Sequence, residues 1–310
     1  MKATIIAEDF AGMRAQGAGL AEKAGLTWDF RPVRFHAPWN RFPARYWPAP
    51  LRHVDPIEIS SETRLIISIG GTGGVIGSAV ARREGLPVVQ IQNPRMSLKR
   101  FDLVIANTHD GISGPNVLTS RNALHTVTPQ KLEKARLEWG GRLKLDGRPL
   151  FSILVGGANG RFSLGADEAE TMADGLIAFT RKNDMQAVLT PSRRTDPAAI
   201  AIFRKKLEPQ GIRILEGQGH DNPYMGMLGS ADMIAVTTDS VSMISEAAAT
   251  TAPVLVMSLP GRSARIARFL QTLQAADRIR MFSPDCPSWT VYPLDDTPTV
   301  AREMRRRLKL

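Results

Sequence analysis

Asp232-Met-Ile-Ala-Val-Thr-Thr-Asp-Ser-Val-Ser-Met-Ile-Ser-Glu246-Ala-Ala-Ala-Thr-Thr-Ala-Pro253-Val-Leu-Val256 decides the fold class of this chain. An apolar run at 233–236 ends in a hydroxyl-rich turn, a helix begins around Ser240 to Ser242, and a second apolar run, 254–257, follows Pro253. Unbroken apolar runs, rather than alternating ones, are the pattern of parallel strands covered on both faces. Working outward, the same signal recurs at 4–7, 65–69, 88–91, 103–106, 151–155, 187–190 and 212–215. Stretches of helical spacing lie between these runs. The clearest, Ala166–Lys182, opens with Asp167 and Glu168, where a helix N-terminus favours negative charge. Strand and helix alternating along nearly the whole length predict an α/β fold of doubly wound, Rossmann-type parallel sheets.

A chain of 310 residues exceeds the size at which one core stops growing, so two domains are expected. The polar, glycine-containing segment 138–149 separates two strand series and places the boundary between an N-terminal domain, 1–143, and a C-terminal domain, 144–310. The last residues, 300–310, read as a basic helix with the option of packing back on the N-terminal domain. With 43% hydrophobic and 23% charged residues, the composition excludes a disordered chain, a collagen-like repeat and a small disulfide scaffold. No window approaches 18 unbroken apolar residues, and the N-terminus meets acids at Glu8 and Asp9 too early for a signal peptide. The single Cys286 fits a reducing compartment, so a cytosolic protein is expected.

Forty Lys and Arg against thirty Asp and Glu give a formal charge of +10, which favours anionic partners or serves solvation alone. No zinc-finger spacing, RNA-reading aromatic signature or heptad-linked basic region accompanies it, and no nucleic-acid partner is expected. Residues 31–52 hold five arginines, five aromatics, five prolines and no acid. Such a stretch suits an anionic membrane interface, or else an irregular loop whose rings pack inward while its arginines face water. The basic tail 302–310 adds a second potential membrane contact at the inner face of the plasma membrane.

Three strand ends in the C-terminal half carry candidate chemistry. Gly156-Gly157-Ala-Asn159-Gly-Arg161 follows the 151–155 run, and glycines there let backbone amides approach an anion or simply form a tight turn. In the opening stretch, Asp239 and Ser240 serve as ordinary helix caps or as phosphate ligands, and Glu246 serves as dipole compensation or as a carboxylate for ribose hydroxyls. Ser192-Arg193-Arg194-Thr195 offers two guanidinium forks suited to a diphosphate, or forms a solvated turn before Pro197. Ligands of open α/β sheets bind beyond the carboxyl ends of strands, where all three elements fall.

The strand, hydroxyl-rich turn, Ser-Glu246-Ala-Ala-Ala and Ala-Pro253-Val-Leu-Val resemble the nucleotide-sugar site of GT-B glycosyltransferases such as the peptidoglycan N-acetylglucosaminyltransferase. The whole chain is more similar to the mitochondrial-fission ELM family, the bacterial relatives of the plant elongated-mitochondria fission factor. The matching stretches are Gly12 with Gln16, Gln90-Ile-Gln-Asn-Pro-Arg95, Phe101-Asp-Leu-Val, His109-Asp-Gly, Gly114-Pro-Asn-Val and Val127-Thr-Pro. They continue through Val155-Gly-Gly, Pro191-Ser-Arg-Arg-Thr195, Asn222-Pro-Tyr-Met-Gly-Met-Leu and Asp239-Ser-Val-Ser-Met. The resemblance implies a GT-B-like pair of Rossmann-type domains facing across a cleft. With it, the expected donor site comprises Gly156, Gly157, Asn159, Ser192, Arg193, Arg194, Tyr224, Asp239, Ser240, Ser242, Met243 and Glu246, the resemblance putting Glu246 on the ribose, while Asn222-Pro-Tyr224 either borders the base or is a plain helix start.

The N-terminal half is then expected to bind the acceptor through Gly12, Gln16, Gln92, Asn93, Arg95 and Asn116. Candidates for the base are Glu8 or Asp9 after the first strand, which otherwise simply cap a turn, and His109 with Asp110 after another, where the histidine otherwise satisfies loop backbone. Gly70-Gly-Thr-Gly-Gly-Val-Ile-Gly77 lacks the Lys-Ser/Thr of a P-loop and the last glycine of the dinucleotide fingerprint, so it reads as a close-packed turn. The histidines at 36, 53, 109, 125 and 220 lack metal-ligand spacing. No Gly-x-Ser-x-Gly elbow and no Asp-x-Asp signature at a strand end is present. The expectation is a metal-independent glycosyltransferase without cofactor, moving a sugar from a nucleotide sugar to an envelope or lipid-linked acceptor. Two rival readings remain open: a non-catalytic GT-B scaffold recruiting a protein partner, and a nucleotide-sugar epimerase.

Overall fold

The apolar runs become strands of two six-stranded sheets in which every pairing is parallel. The computed structural model describes residues 1–217 and 221–310, so His220 lies outside the described residues. The first sheet comprises β1 (Lys2–Ala7), β2 (Thr27–Pro32), β3 (Thr63–Ile69), β4 (Val88–Ile91), β5 (Leu103–Asn107) and β6 (Val117–Ser120), with α1 (Ala11–Lys23) and α2 (Gly70–Glu84) between strands. There follow α3 (Pro129–Leu143), β7 (Leu150–Val155), α4 (Ala166–Lys182), β8 (Gln186–Pro191), α5 (Pro197–Leu207) and β9 (Arg213–Ile214). The second sheet is completed through α6 (Tyr224–Ser230), β10 (Met233–Thr237), α7 (Val241–Ala248), β11 (Val254–Met257), α8 (Ala264–Ala275) and β12 (Ile279–Met281), and the chain ends in α9 (Thr297–Leu308).

Strand order is β2-β1-β3-β4-β5-β6 in the first sheet and β12-β11-β10-β7-β8-β9 in the second. The direction of winding therefore reverses between β1 and β3 in one sheet and between β7 and β10 in the other. At such a point the connections leave toward opposite faces, and a crevice opens beyond the strand ends.

Two compact units result: Met1–Thr126 with Asp295–Leu310, and Val127–Leu294. This division differs from the boundary expected at 143/144, because α3 belongs to the second unit. Its Trp139 is buried in that unit's core and lies over Gly226 of α6, so closely that a Cβ there would sit 2.4 Å from the tryptophan. The polar segment after α3 is a surface connection inside the second unit, where Gln186 holds it by hydrogen bonds to Leu145 N, Asp146 O and Arg148 O. Helix α9 belongs to the first unit and buries Val300, Ala301 and Met304 there.

Residues 31–52 form short 3₁₀ turns, as their prolines require. Trp47 is buried, Phe35 meets its edge, and Trp39 stacks on His53, so much of the aromatic content packs inward on the first unit's core. The glycine-rich stretch at 70–77 is the start of α2 rather than a turn. A Cβ at Gly77 would lie 2.4 Å from Ser68 Cβ and one at Gly73 would lie 2.8 Å from Ile6 O, so these glycines let the helix settle directly on β1 and β3.

Candidate functional site

The switch point of the second unit is built around one carboxylate. Asp239, just past β10, has a fully buried side chain. Its Oδ2 accepts from the Gly157 amide at 3.1 Å and from the Arg194 guanidinium at 2.8 Å, while Oδ1 accepts from the Thr237 hydroxyl at 2.6 Å. Thr237 Oγ1 in turn accepts from the Gly156 amide at 2.7 Å, and Asn159 donates to Asp239 O at 3.2 Å. Three strand ends, those of β7, β8 and β10, are thus tied together by hydrogen bonds. Only glycine fits at 156, since a Cβ would stand 2.3 Å from both Asp239 carboxylate oxygens.

The chemistry differs from a set of free phosphate ligands. Asp239 is an organiser, and a buried anion there would repel a phosphate placed directly on it. Arg194 is 44% exposed at its side chain, but its charge is offset by Asp239. Arg193 is exposed beside it. Ser192 and Thr195 brace the turn: Thr195 Oγ1 accepts from Ser192 N at 2.9 Å and donates to Gly156 O at 2.5 Å. Ser240 caps α7 by accepting from Met243 N at 3.3 Å. Val241 and Ser242 occupy the first turn of α7, whose amides have no carbonyl one turn back to bond within the helix. Sequence reasoning missed Thr237, whose hydroxyl is indistinguishable by spacing from those of its neighbours.

Glu246, in the second turn of α7, accepts a hydrogen bond from the Tyr224 hydroxyl at the start of α6. Burial pushes its carboxyl up to about 7, against the lowering effect of the Tyr224 bond. Burial also carries the Tyr224 phenol well above its usual range, as does the neighbouring carboxylate. Asn222 accepts from Tyr224 N at 3.0 Å and fixes the entry to α6. The far end of α7 is closed by Arg278, a buried arginine with no sequence signal. It donates to Ala248 O at 2.7 Å, Ala247 O at 3.0 Å, Thr250 O at 2.8 Å and Ala252 O at 2.9 Å.

In the first unit, the switch point between β1 and β3 brings Glu8 to the N-terminus of α2, where Thr72 hydrogen-bonds it. Burial raises the Glu8 carboxyl above its usual range, and the Thr72 bond opposes that rise. On the same edge Gln92 donates to Gln16 Oε1 at 3.3 Å, and the place of a Cβ on Gly70 lies 3.8 Å from Gln92 Oε1. Asp9 is exposed and ion-paired with Arg14 at 2.8 Å. His109 is buried in the 3₁₀ turn after β5, with Nε2 3.9 Å from Asp110 Oδ1, and Asp110 accepts from Asn107 N at 3.2 Å. Those two residues shape the turn rather than present a base to solvent. Asn116 binds Leu98 O at 2.9 Å and Phe101 O at 2.8 Å, which is loop bracing. Asn93 accepts from Arg95 N at 2.8 Å within a local turn, and Gly12 lies in the first turn of α1. Among the described residues, no group of three or more His, Cys, Asp or Glu is placed to hold a metal ion, and no helix is long and apolar enough to cross a membrane.

The family described as mitochondrial fission ELM1 matches residues 11–308. The mitochondrial fission protein ELM1 of Arabidopsis thaliana is 29% identical over 272 residues, covering 79% of this chain and 64% of that protein. An uncharacterized protein of Rickettsia prowazekii, RP120, is 24% identical over 355 residues, covering 100% of this chain and 99% of the relative. Among solved structures, the UDP-GlcNAc 2-epimerase from Neisseria meningitidis bound to UDP-GlcNAc superposes with a TM-score of 0.56 at 14% identity, covering 100% of both chains. At that identity the likeness is one of fold, and it assigns the two units to the GT-B architecture.

Proposed function

This chain belongs to the mitochondrial fission ELM1 family, and on that premise we propose that it binds a nucleotide sugar in its second unit and transfers the sugar to an acceptor hydroxyl. The observation that carries the reading is the pairing of a raised, tyrosine-held Glu246 with an organised glycine turn at the β7/β10 switch point. Glu246 presents a carboxylate to ribose hydroxyls. The diphosphate takes the amides at the start of α7 and the exposed Arg193, while Arg194 is held in place by Asp239. The bound UDP-GlcNAc of the structural neighbour supports a ligand of this class.

The acceptor belongs to the first unit, at the edge carrying Glu8, Gln16 and Gln92. Glu8 suits proton abstraction better than Asp9, since it is half-buried, with its carboxyl raised by that burial, whereas Asp9 is exposed and paired with an arginine. An envelope or lipid-linked acceptor agrees with the arginine–aromatic surface of the same unit. A non-catalytic scaffold is the second reading, and the burial of His109, a candidate base, supports it.

Thermal unfolding with UDP, ADP, GDP, CMP and their sugar conjugates tests the donor site. Ligand at about 100 times its dissociation constant stabilises the fold by roughly 2.7 kcal/mol. One nucleotide is expected to raise the midpoint in the wild type and not in Glu246→Ala. Radiolabelled sugar then separates the readings: transfer releases it from the nucleotide, and epimerisation leaves it attached. Glu8→Gln is expected to abolish transfer while preserving the nucleotide-induced shift. Absence of any shift across the panel overturns the donor reading in favour of the scaffold.

A further inference from the structure

We propose that Arg41-Phe42-Pro43-Ala44-Arg45-Tyr46 is a docking surface for anionic lipid headgroups. Two large rings stand in water here: Phe42 is 57% exposed and Tyr46 69% exposed. Arg41 and Arg45 flank them and are exposed as well, with the Arg45 guanidinium 4.7 Å above the Tyr46 ring. Among the described residues no carboxylate pairs with Arg34, Arg41, Arg45 or Arg52, and the sequence from 31 to 52 contains no acid. The surface is therefore uncompensated positive charge mixed with amphipathic rings, the composition that meets headgroups at a membrane boundary.

The backbone that carries the patch is anchored to the core. Ala44 and Trp47 are buried in the first unit's core between the exposed residues, and Trp47 Nε1 donates to Phe42 O at 3.0 Å. Phe35, Trp39 and His53 close around Trp47 from below, at ring separations of 5.8, 6.1 and 6.0 Å. Inward rings thus anchor the loop, while Phe42, edge-on to Trp39 at 6.3 Å, and Tyr46, beneath Arg45, still turn most of their surface to water.

The basic tail is a weaker candidate for the same task. Arg305 donates to Ala24 O and to Leu310 O at 3.1 Å, while Arg306 and Arg307 both bind Glu303. Those two arginines share the single Glu303 carboxylate and draw it down to about 2, and the tail carries no aromatic ring to set beside its charge.

The inference does not depend on the transfer reaction and is tested without a nucleotide. The full chain is floated with vesicles of phosphatidylcholine alone and with vesicles containing phosphatidylglycerol. Flotation with the second and not the first is expected, weakening as salt rises. Each arginine removed should lower binding about fivefold, so Arg41→Ala with Arg45→Ala should lower it by about 25-fold, and the paired lysine variants should restore it. Phe42→Ser with Tyr46→Ser should weaken the binding that persists at high salt. Because all four side chains are exposed, unfolding midpoints should stay unchanged, which separates lost docking from lost fold. Failure of the wild type to float with anionic vesicles overturns the proposal. Flotation unaffected by the arginine variants but abolished by Arg302→Glu with Arg306→Glu overturns it too, and moves the contact to α9.

Discussion

Replacing Asp239 with asparagine would take a negative charge from the place where an amide, a hydroxyl and a guanidinium converge. Asparagine keeps only one of the two acceptor oxygens, so either the Gly157 amide or the Thr237 hydroxyl meets an NH2 group instead, and Arg194 loses its counter-charge. Because that guanidinium is partly solvated, the expected loss is about 1–3 kcal/mol, read by urea unfolding, rather than the larger cost of a fully buried ion. Glu246 invites a pH experiment with opposite signs for stability and for binding. Its carboxyl titrates at about 7 in the fold against an ordinary 4.5, so between these values the folded state holds the proton and the unfolded chain has released it. Stability contributed by this group therefore falls as pH rises through that window. Glu246→Gln keeps an acceptor for Tyr224 and removes the titration. It should match the wild type near pH 4.5 and exceed it at pH 8 by up to the order of 3 kcal/mol. A nucleotide whose ribose hydroxyls donate to the carboxylate would bind in the reverse sense, more tightly as pH passes 7. Unfolding curves that run parallel across this range would show that Glu246 ionises normally. The sequence pointed to Glu246 because carboxylate, turn and strand stand close together in the chain. Its restraint by Tyr224 was not legible, since residues 22 positions apart meet only once both helices are folded onto the sheet.

At the scale of elements, the interior of both sheets was readable, whereas of the four edge strands only β9 was foreseen, in the run 212–215. The unpredicted strands β2, β6 and β12 all lie at sheet edges. An edge strand has one neighbour and more water, so it need not carry an unbroken apolar run. In β2, Asp29 is placed instead by Lys2 at 3.1 Å and Arg31 at 3.4 Å. Glycines at the head of α2 misled in the other direction, because they were selected by contact with β1 and β3 and not by a turn. Helix α7 shows how an element is positioned by something outside its own sequence. Its N-terminus is fixed by Ser240, but its C-terminal carbonyls are collected by the distant Arg278, which burial draws down to about 10. Arg278→Met preserves much of the apolar stem and leaves those carbonyls without donors, with an expected cost of roughly 2–4 kcal/mol. Lysine offers one compact ammonium in place of the planar fork and should recover only part of that loss. If α7 is what carries Glu246 to the ligand, Arg278→Lys should also weaken nucleotide binding more than Asp232→Ala, a change at the opposite end of β10. Equal affinities in the two variants would detach Arg278 from the site.

The whole chain has one organisational feature that the sequence concealed. The second unit, Val127–Leu294, is continuous, whereas the first is completed only by Asp295–Leu310 after the second has been made. The polar segment at 138–149 looked like a linker because linkers and surface turns share a composition; what distinguishes them is the burial of Trp139 upstream, a long-range fact. Closure of the first unit depends on specific contacts. Arg121 grips Asp296 through Nε at 3.1 Å and its backbone amide at 2.7 Å, and burial of that carboxyl, which alone would raise its titration, is outweighed by the arginine. His125 Nε2 lies 3.4 Å from Asp295, and Met304 on the inner face of α9 is fully buried. From this connectivity the two units should respond differently to excision. Residues 127–294 expressed alone are expected to unfold cooperatively and to keep the nucleotide-induced shift of the full chain. Residues 1–126 alone expose the groove that α9 fills and should aggregate or lose near-ultraviolet dichroism, until 295–310 are attached through a flexible linker. Within the intact chain, Met304→Ala should cost about 2–5 kcal/mol in the first unit, seen as an earlier transition in calorimetry, while the nucleotide continues to protect the second. A cooperative, stable 1–126 fragment would mean that α9 decorates the first unit instead of completing it.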